Sequence, residues 1–170
     1  MNDANQAPVT KHGGHTERSS TPSITPSDLN PLEVFVLMPH GANGEYAGGV
    51  DESNFVFEEI ICPGVAEATT TQAVRPRIHR EVDRNRAGSI TRSLVNSLVK
   101  ADIVIVDLTG RNPNVFFELG IRYGLRDKIT ILIAHDNTEI PFDIRGYRYI
   151  PYSPFRPKEV RAQLPTLRVP

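Results

Sequence analysis

The stretch ADIVIVDLTGRNPNVFFELGIRYGL, residues 101–125, decides the fold of this chain. Its first part is apolar between Asp102 and Asp107, which predicts a central strand of a sheet that is covered on both sides. Asn112 and Pro113 then make a cap and first-turn pair, which predicts a helix over the rest of the stretch. A buried strand that leads directly into a helix is typical of an α/β protein.

Further strands and helices alternate on both sides of this stretch. Apolar or alternating runs predict strands at 33–39, 74–82, 128–134 and 146–152, and helical spacing predicts a helix at 53–68. Ser53 is the expected cap of that helix, and Pro63 is expected to kink or interrupt it. The alternation predicts a doubly wound parallel sheet with helices on both faces. Because the two alternating runs suit edges, we predict the strand order 2-1-3-4-5.

The composition divides the 170-residue chain into three parts. Residues 1–31 contain no aromatic residue and are expected to form a disordered arm, residues 32–152 the α/β domain, and residues 153–170 a Pro-rich tail with a short helix. The formal net charge of −1 argues against a dedicated nucleic-acid binder. The single cysteine excludes a cysteine-based zinc motif. The chain shows neither a signal peptide nor an apolar run of the roughly 20 residues that a membrane helix needs, so we expect a cytoplasmic protein.

The predicted strand order places a topological switch point between the first and third strands, where open α/β sheets bind ligands. Asp107 ends the third strand there, and Asn114 and Glu118, four residues apart, share one face of the helix that follows. The apolar neighbours of Glu118 would partly desolvate its carboxylate and raise its pKa, as is common beside a reactive centre. The alternative is a surface ion pair between Glu118 and Arg122. The residues alone leave both interpretations open.

A helix opening at Gly88 and Ser89 is a candidate anion site near the switch point. The N–H groups and the dipole of a helix N-terminus attract negative charge, and two arginines precede this one. The alternative is a plain helix cap with two solvated arginines.

The loop HGANGEYAGG, residues 40–49, is a second candidate for ligand contact. It has neither the glycine fingerprint of dinucleotide sites nor a Walker lysine. Pro39 and His40 lie at its start, where His40 can reach a ligand, and Tyr46 offers a ring on which a base can stack. A plain loop with a structural histidine is the alternative.

These motifs, in their order along the chain, resemble the nucleoside 2-deoxyribosyltransferase-like superfamily. The resemblance rests on MP at 38–39, IICPGVAEA at 60–68, the Gly-Ser helix start, the long central stretch and IPFDIRGYR at 140–148. It covers roughly residues 33–152. The central DLTGRNPNVFFELG is similar to the signature of a bacterial, TIR-like branch that is associated with anti-phage defence.

The resemblance implies a flavodoxin-like sheet and cleavage at the N-glycosidic carbon of a nucleoside, a nucleotide or NAD. It makes Glu118 the nucleophile and gives Asp107 the role of holding the sugar or assisting the base. The transferases usually carry an acid where this chain has Asn112, which disfavours deoxyribosyl transfer and favours hydrolysis or another reaction. The nucleotide hydrolases of the superfamily hold a 5′-phosphate near the positions of Gly88 and Ser89.

Three functions therefore stand as alternatives at this stage. The first is a nucleotide N-glycosidase, the second a TIR-like NAD⁺ glycohydrolase effector, and the third a non-catalytic module that senses a nucleotide. Each needs a nucleotide or NAD as its partner, and none implies a cofactor, a metal ion, a membrane or a specific nucleic acid. A homo-oligomer is an open expectation, since members of the superfamily often assemble. The residues expected to contact the substrate are Pro39, His40, Tyr46, Gly88, Ser89, Asn112 and Asn114.

Overall fold

A computed structural model describes residues 30–42, 45–70, 74–80, 90–125 and 127–154 of the chain. The strands are β1 (Leu32–Leu37), β2 (Pro76–Arg80), β3 (Ile103–Asp107), β4 (Ile129–His135) and β5 (Tyr149–Tyr152). The helices are α1 (Gly49–Phe55), α2 (Cys62–Thr70), α3 (Ile90–Lys100) and α4 (Pro113–Leu125), with a π-helical stretch at Val56–Ile61 and 3-10 turns at Thr109–Arg111 and Phe142–Ile144. Residues 1–29 of the arm expected at 1–31 and residues 155–170 of the tail expected at 153–170 lie outside the described residues.

The five strands form one parallel sheet in the order β2-β1-β3-β4-β5. This is the flavodoxin-like order, and it confirms the order predicted from the sequence. All five residues of β3 are buried, as its unbroken apolar run requires of a central strand. β2 contains Pro76 and lies at an edge, where a missing N–H costs no ladder hydrogen bond.

Two apolar clusters cover the two faces of the sheet, because successive side chains of a strand point to opposite faces. On one face, Val34, Val36, Ile103, Ile105, Ile131 and Ile133 pack against Val56, Ile60, Ile61 and Val65 of the first helical segment. On the other face, Phe35, Leu37, Val104 and Val106 pack against Leu94 and Leu98 of α3 and Val115 and Leu119 of α4. Helices therefore cover both faces of the sheet, and the ends of its strands are where a ligand can bind.

The first helical segment differs from its prediction at its start, while the interruption expected near Pro63 is found. It begins at Gly49, where the carboxylate of Glu52 accepts a hydrogen bond from the N–H of Gly48 at 2.6 Å. Ser53 is not the cap, because its buried hydroxyl donates to the carbonyl oxygen of Pro39 at 2.9 Å. The interruption expected at Pro63 is present, because π turns replace the α pattern at Val56–Ile61, just before the proline, and α-helix resumes at Cys62.

Arg122 is fully buried and joins three elements at the amino-terminal edge of the sheet. Its guanidinium donates to the carbonyl oxygens of Leu98 and Ala101, at the end of α3, and to that of Ile129, at the start of β4. Buried carbonyls of this kind need donors, and a guanidinium supplies several at once. The alternative of a surface ion pair between Arg122 and Glu118 is therefore wrong, since Arg122 does not reach the surface.

The described part of the chain contains no helix that is both long and apolar enough to cross a membrane.

Candidate functional site

A cavity of about 210 Å³ lies at the carboxyl ends of β1 and β2, against the first turns of α4. The cavity adjoins the predicted switch point between β1 and β3, because α4 follows β3 in the chain. The residues that line it are Val36, Leu37, Met38, Pro39, His40, Glu45, Arg80, Asn112, Asn114 and Glu118. A larger cavity of about 440 Å³ lies beside Glu33 and Lys100, near the start of β1 and the end of α3. Because parallel sheets bind ligands at the carboxyl ends of their strands, the smaller cavity is the candidate site.

The structure brings five of the predicted site residues to this cavity. Pro39 is buried and His40 exposed, and both follow directly on β1. Asn112, Asn114 and Glu118 come from the start of α4, and Glu118 is half-buried. The cap and first-turn pair predicted from the sequence explains this placement, because it starts the helix where its first turns face the ends of β1 and β2. Gly88 and Ser89 lie outside the described residues.

Asn112 links the start of α4 to the loop that follows β1. Its side-chain oxygen accepts a hydrogen bond from the N–H of Asn114 at 2.9 Å, which confirms the predicted helix cap. Its side-chain nitrogen donates to the carboxylate of Glu45 at 2.6 Å. Both polar atoms of the Asn112 side chain are therefore hydrogen-bonded, and its bond to Glu45 holds the carboxylate of Glu45 on the cavity wall.

Arg80 and Glu45 are two lining residues that the sequence reasoning did not single out. Arg80 ends β2 and is only 6% exposed. It donates to the side-chain oxygen of Asn54 at 2.7 Å, and its guanidinium lies 4.4 Å from the ring centre of Phe57. A hydrogen bond and a cation–π contact hold the positive charge at the cavity. The strand predicted at 74–82 runs past Arg80, so the sequence did not mark this residue as a strand end.

Asp107 does not line the cavity, although the resemblance implies contact with the sugar or base. Its carboxylate is fully buried and accepts hydrogen bonds from the Thr109 N–H at 3.0 Å and hydroxyl at 2.5 Å, and from the hydroxyls of Tyr46 and Tyr152 at 2.7 Å each. Burial raises the pKa of this carboxyl, while the hydrogen bonds from Thr109, Tyr152 and Tyr46 oppose the rise. The expected contact of Asp107 with the sugar or base is therefore corrected to a structural role, in which its carboxylate binds Thr109, Tyr46 and Tyr152 together.

Tyr46 belongs to this buried network and not to the cavity wall. Its side chain is 3% exposed and packs in the core cluster on the face of α1 and α2. Burial raises the pKa of its hydroxyl, and the nearby carboxylate of Asp107 raises it further. A base cannot stack on a ring that is packed in this way, so the stacking role expected for Tyr46 is corrected to a structural one.

Two glycines allow the loop after β1 to lie close against its neighbours. Gly41 has a φ of +81°, and a Cβ there would lie 2.3 Å from the carbonyl oxygen of Gly49. Gly110 has a φ of +66°, and a Cβ there would lie 2.5 Å from the Cα of Glu45. A larger residue at Gly41 would therefore displace the backbone at Gly49, and one at Gly110 would displace the backbone that carries Glu45.

Comparisons with known proteins add little to this picture. No model of a known protein family matches the chain, and no curated protein matches it. Among solved structures, the chain is similar to a 2-desoxiribosyltransferase from Leishmania mexicana, with 14% sequence identity and a TM-score of 0.48. The match covers 82% of this chain and 100% of the other. A likeness of this degree carries no conclusion about activity, and the fold rests on the strand pairing described above.

Proposed function

We propose that this chain cleaves the N-glycosidic bond of a nucleotide, with the carboxylate of Glu118 as the nucleophile. The observation that carries the proposal is the cavity at the switch point, where Glu118 lines one space with Arg80 and Asn112. The resemblance of DLTGRNPNVFFELG to the signature of a superfamily of N-glycosidic enzymes supports the same assignment.

The chemistry suits these side chains. As the bond from C1′ to the base breaks, its electron pair goes to the base and the sugar acquires oxocarbenium character. A carboxylate held against C1′ stabilises this cation and then bonds to it, and water hydrolyses the ester in a second step. Arg80 supplies the positive charge that a phosphate of the substrate needs, because guanidinium groups bind phosphate by charge-assisted hydrogen bonds.

The size of the cavity favours the sugar as the enclosed part of the substrate. Sites that enclose a drug-sized ligand run from about 300 to 1,000 Å³. A pentose therefore fits inside, while the base and the phosphate extend to its borders.

The test is chromatography of free base released from a panel of ribo- and deoxyribonucleoside 5′-monophosphates and NAD. We expect release by the wild type, and loss of release by Glu118→Gln with nucleotide binding retained as an increase in Tm. Glu67→Gln, on an exposed position of α2, is the matched control. Release of nicotinamide from NAD alone would favour the glycohydrolase alternative. Stabilisation by nucleotide without any release at high enzyme concentration would refute the proposal and leave a sensing module.

A further inference from the structure

We infer that the outer side of α4 and the segment beside it, residues 140–147, form the interface of a homodimer. We call this surface the aromatic face and define it by Phe117, Gly120 and Tyr123 of α4 and by Pro141, Phe142 and Tyr147. The inference goes beyond the proposed function and does not rest on it. The groove in the aromatic face shares no described lining residue with the cavity that holds Glu118.

The outer side of α4 lacks the charged residues that a surface helix normally carries. The two charged residues of this helix are Glu118, which is half-buried at the cavity, and Arg122, which is fully buried. Every residue of α4 that is exposed in the structure, from Pro113 to Leu125, is uncharged. A helix at a protein surface usually turns a charged face to solvent, and a helix without one is usually buried. The composition of α4 therefore indicates that another surface covers its outer side.

Four aromatic residues of the aromatic face are open to solvent. Phe117 and Tyr123 are 67% and 40% exposed, and Phe142 and Tyr147 are 83% and 49% exposed. At roughly 200 Å² for each aromatic side chain, these fractions amount to about 480 Å² of ring surface. A standard specific interface covers about 800 Å² on each partner. The four rings alone therefore supply more than half of the area that one copy must contribute to a stable dimer.

A groove between α4 and the segment 140–147 offers a place for the rings of a second copy. Its volume is about 350 Å³, and it passes Gly120, where a Cβ would meet nothing within 4 Å. Tyr123 and Tyr147 line it with their rings stacked at a centroid distance of 5.1 Å. Asp143 is the one charged residue among its described lining residues. The cores of protein interfaces are likewise rich in aromatic residues and poor in charged ones.

A second copy of this chain is the occupant that the aromatic face fits best. In a dimer with two-fold symmetry both partners use the same surface, so this surface needs projecting groups as well as a hollow that receives them. Phe117 lies one turn before Gly120 on α4, and Phe142 follows Pro141 on the other wall, so both exposed rings adjoin the groove. We expect these rings of each copy to enter the groove of the other. A groove for a short segment of another protein would need no such rings beside it.

The experiment is analytical ultracentrifugation of the full chain without substrate, over a concentration range of about a hundredfold. We expect the wild type to form a dimer. Phe117→Glu and Phe142→Glu each place a carboxylate in the interface of both copies, and each should raise the Kd of the dimer by about 100-fold or more. Phe55→Glu is the matched control, because Phe55 is an exposed phenylalanine of the helical segment on the opposite face of the sheet. Its Kd should equal that of the wild type.

A third variant, Gly120→Gln, separates the interface from the folding of the single chain. Glutamine is a better helix former than glycine, and a Cβ at this position meets nothing in its own copy. We therefore expect Gly120→Gln to keep the circular dichroism spectrum of the wild type. Its side chain occupies the groove, so the Kd of the dimer should rise by about 10-fold or more. Gly120→Gln decides the question if neither phenylalanine variant folds.

Two results would overturn the inference. The first is a wild type that stays monomeric over the whole concentration range, which would leave the aromatic face to residues 155–170 or to another protein. The second is a dimer whose Kd is unchanged in every variant that folds, since assembly would then use another surface. Neither result bears on cleavage of a nucleotide, which is measured separately as release of base.

Discussion

Replacing Tyr46 with phenylalanine removes one of the four hydrogen bonds that the buried carboxylate of Asp107 accepts. The ring stays in the core, and only one oxygen is lost. Asp107 has no exposed surface, so bulk water does not replace the missing donor. A hydrogen bond to a charged group contributes about 1.5–3 kcal/mol. We expect the free energy of unfolding to fall by that amount at neutral pH, which lowers the Tm by roughly 3–12 °C for a chain of this length.

The loss should depend on pH because Asp107 titrates. Burial raises its pKa in the folded protein above the ordinary value of 3.8, and the hydroxyl of Tyr46 is one of the donors that oppose this rise. Removing that donor raises the folded-state pKa further and leaves the unfolded-state pKa unchanged. A carboxyl whose pKa is raised on folding adds stability at low pH that is lost as the pH rises through the folded-state pKa. The difference between the two proteins is therefore largest at neutral pH and shrinks as the solution is acidified.

The assay is urea denaturation followed by circular dichroism at neutral pH and at several lower values. Tyr149→Phe is the control, since Tyr149 lies on the edge strand β5 and is 41% exposed. We expect that control to change the free energy of unfolding by less than about 0.5 kcal/mol. Equal losses in both variants, or a loss in Tyr46→Phe that grows on acidification, would show that the account of Asp107 is mistaken.

Three further substitutions test the cavity and the buried guanidinium of Arg122 at the opposite edge of the sheet. Gly110→Ala should reduce the free energy of unfolding, measured by urea denaturation, by about 2 kcal/mol or more. The reason is that the φ of Gly110 is +66° and that a Cβ there lies 2.5 Å from Glu45. Gly124→Ala is the control and should show no such loss, because a Cβ at Gly124 meets nothing within 4 Å. Arg122→Lys should lose about 2–5 kcal/mol in the same assay, because one ammonium cannot serve all the carbonyls that the guanidinium spans. Arg80→Gln should weaken binding of a nucleoside monophosphate by about 10- to 100-fold in calorimetric titrations, and an equal effect on the unphosphorylated nucleoside would argue against a phosphate contact.

The sheet could be predicted from the sequence because its signals are local. The unbroken apolar run of β3 identifies a central strand, and the proline in β2 identifies an edge strand. The start of α4 was also predictable, since Asn112 and Pro113 carry a specific capping signal. These local features place Glu118 at the carboxyl edge of the sheet without any knowledge of the tertiary contacts.

The details of the site could not be predicted because they depend on contacts between distant parts of the chain. Glu45 reaches Asn112 across 67 positions, and Tyr46 reaches Asp107 across 61. Contacts between residues so far apart in the sequence do not change the local spacing or periodicity from which elements are predicted. Arg122 shows the same difficulty: its position four residues after Glu118 is typical of a surface ion pair, but its carbonyl partners lie on α3 and β4.

The burial of Arg122 has a consequence for how the protein opens. A guanidinium keeps its charge at all ordinary pH values, so this side chain cannot adapt to an apolar setting by releasing a proton. If the end of α3 or the start of β4 alone moved away from Arg122, the guanidinium would stay buried and would lose some of the carbonyl oxygens that accept its hydrogen bonds. Such a loss costs several kcal/mol. Local fraying is therefore penalised, and α3, α4 and β4 should exchange their amide hydrogens as one cooperative unit.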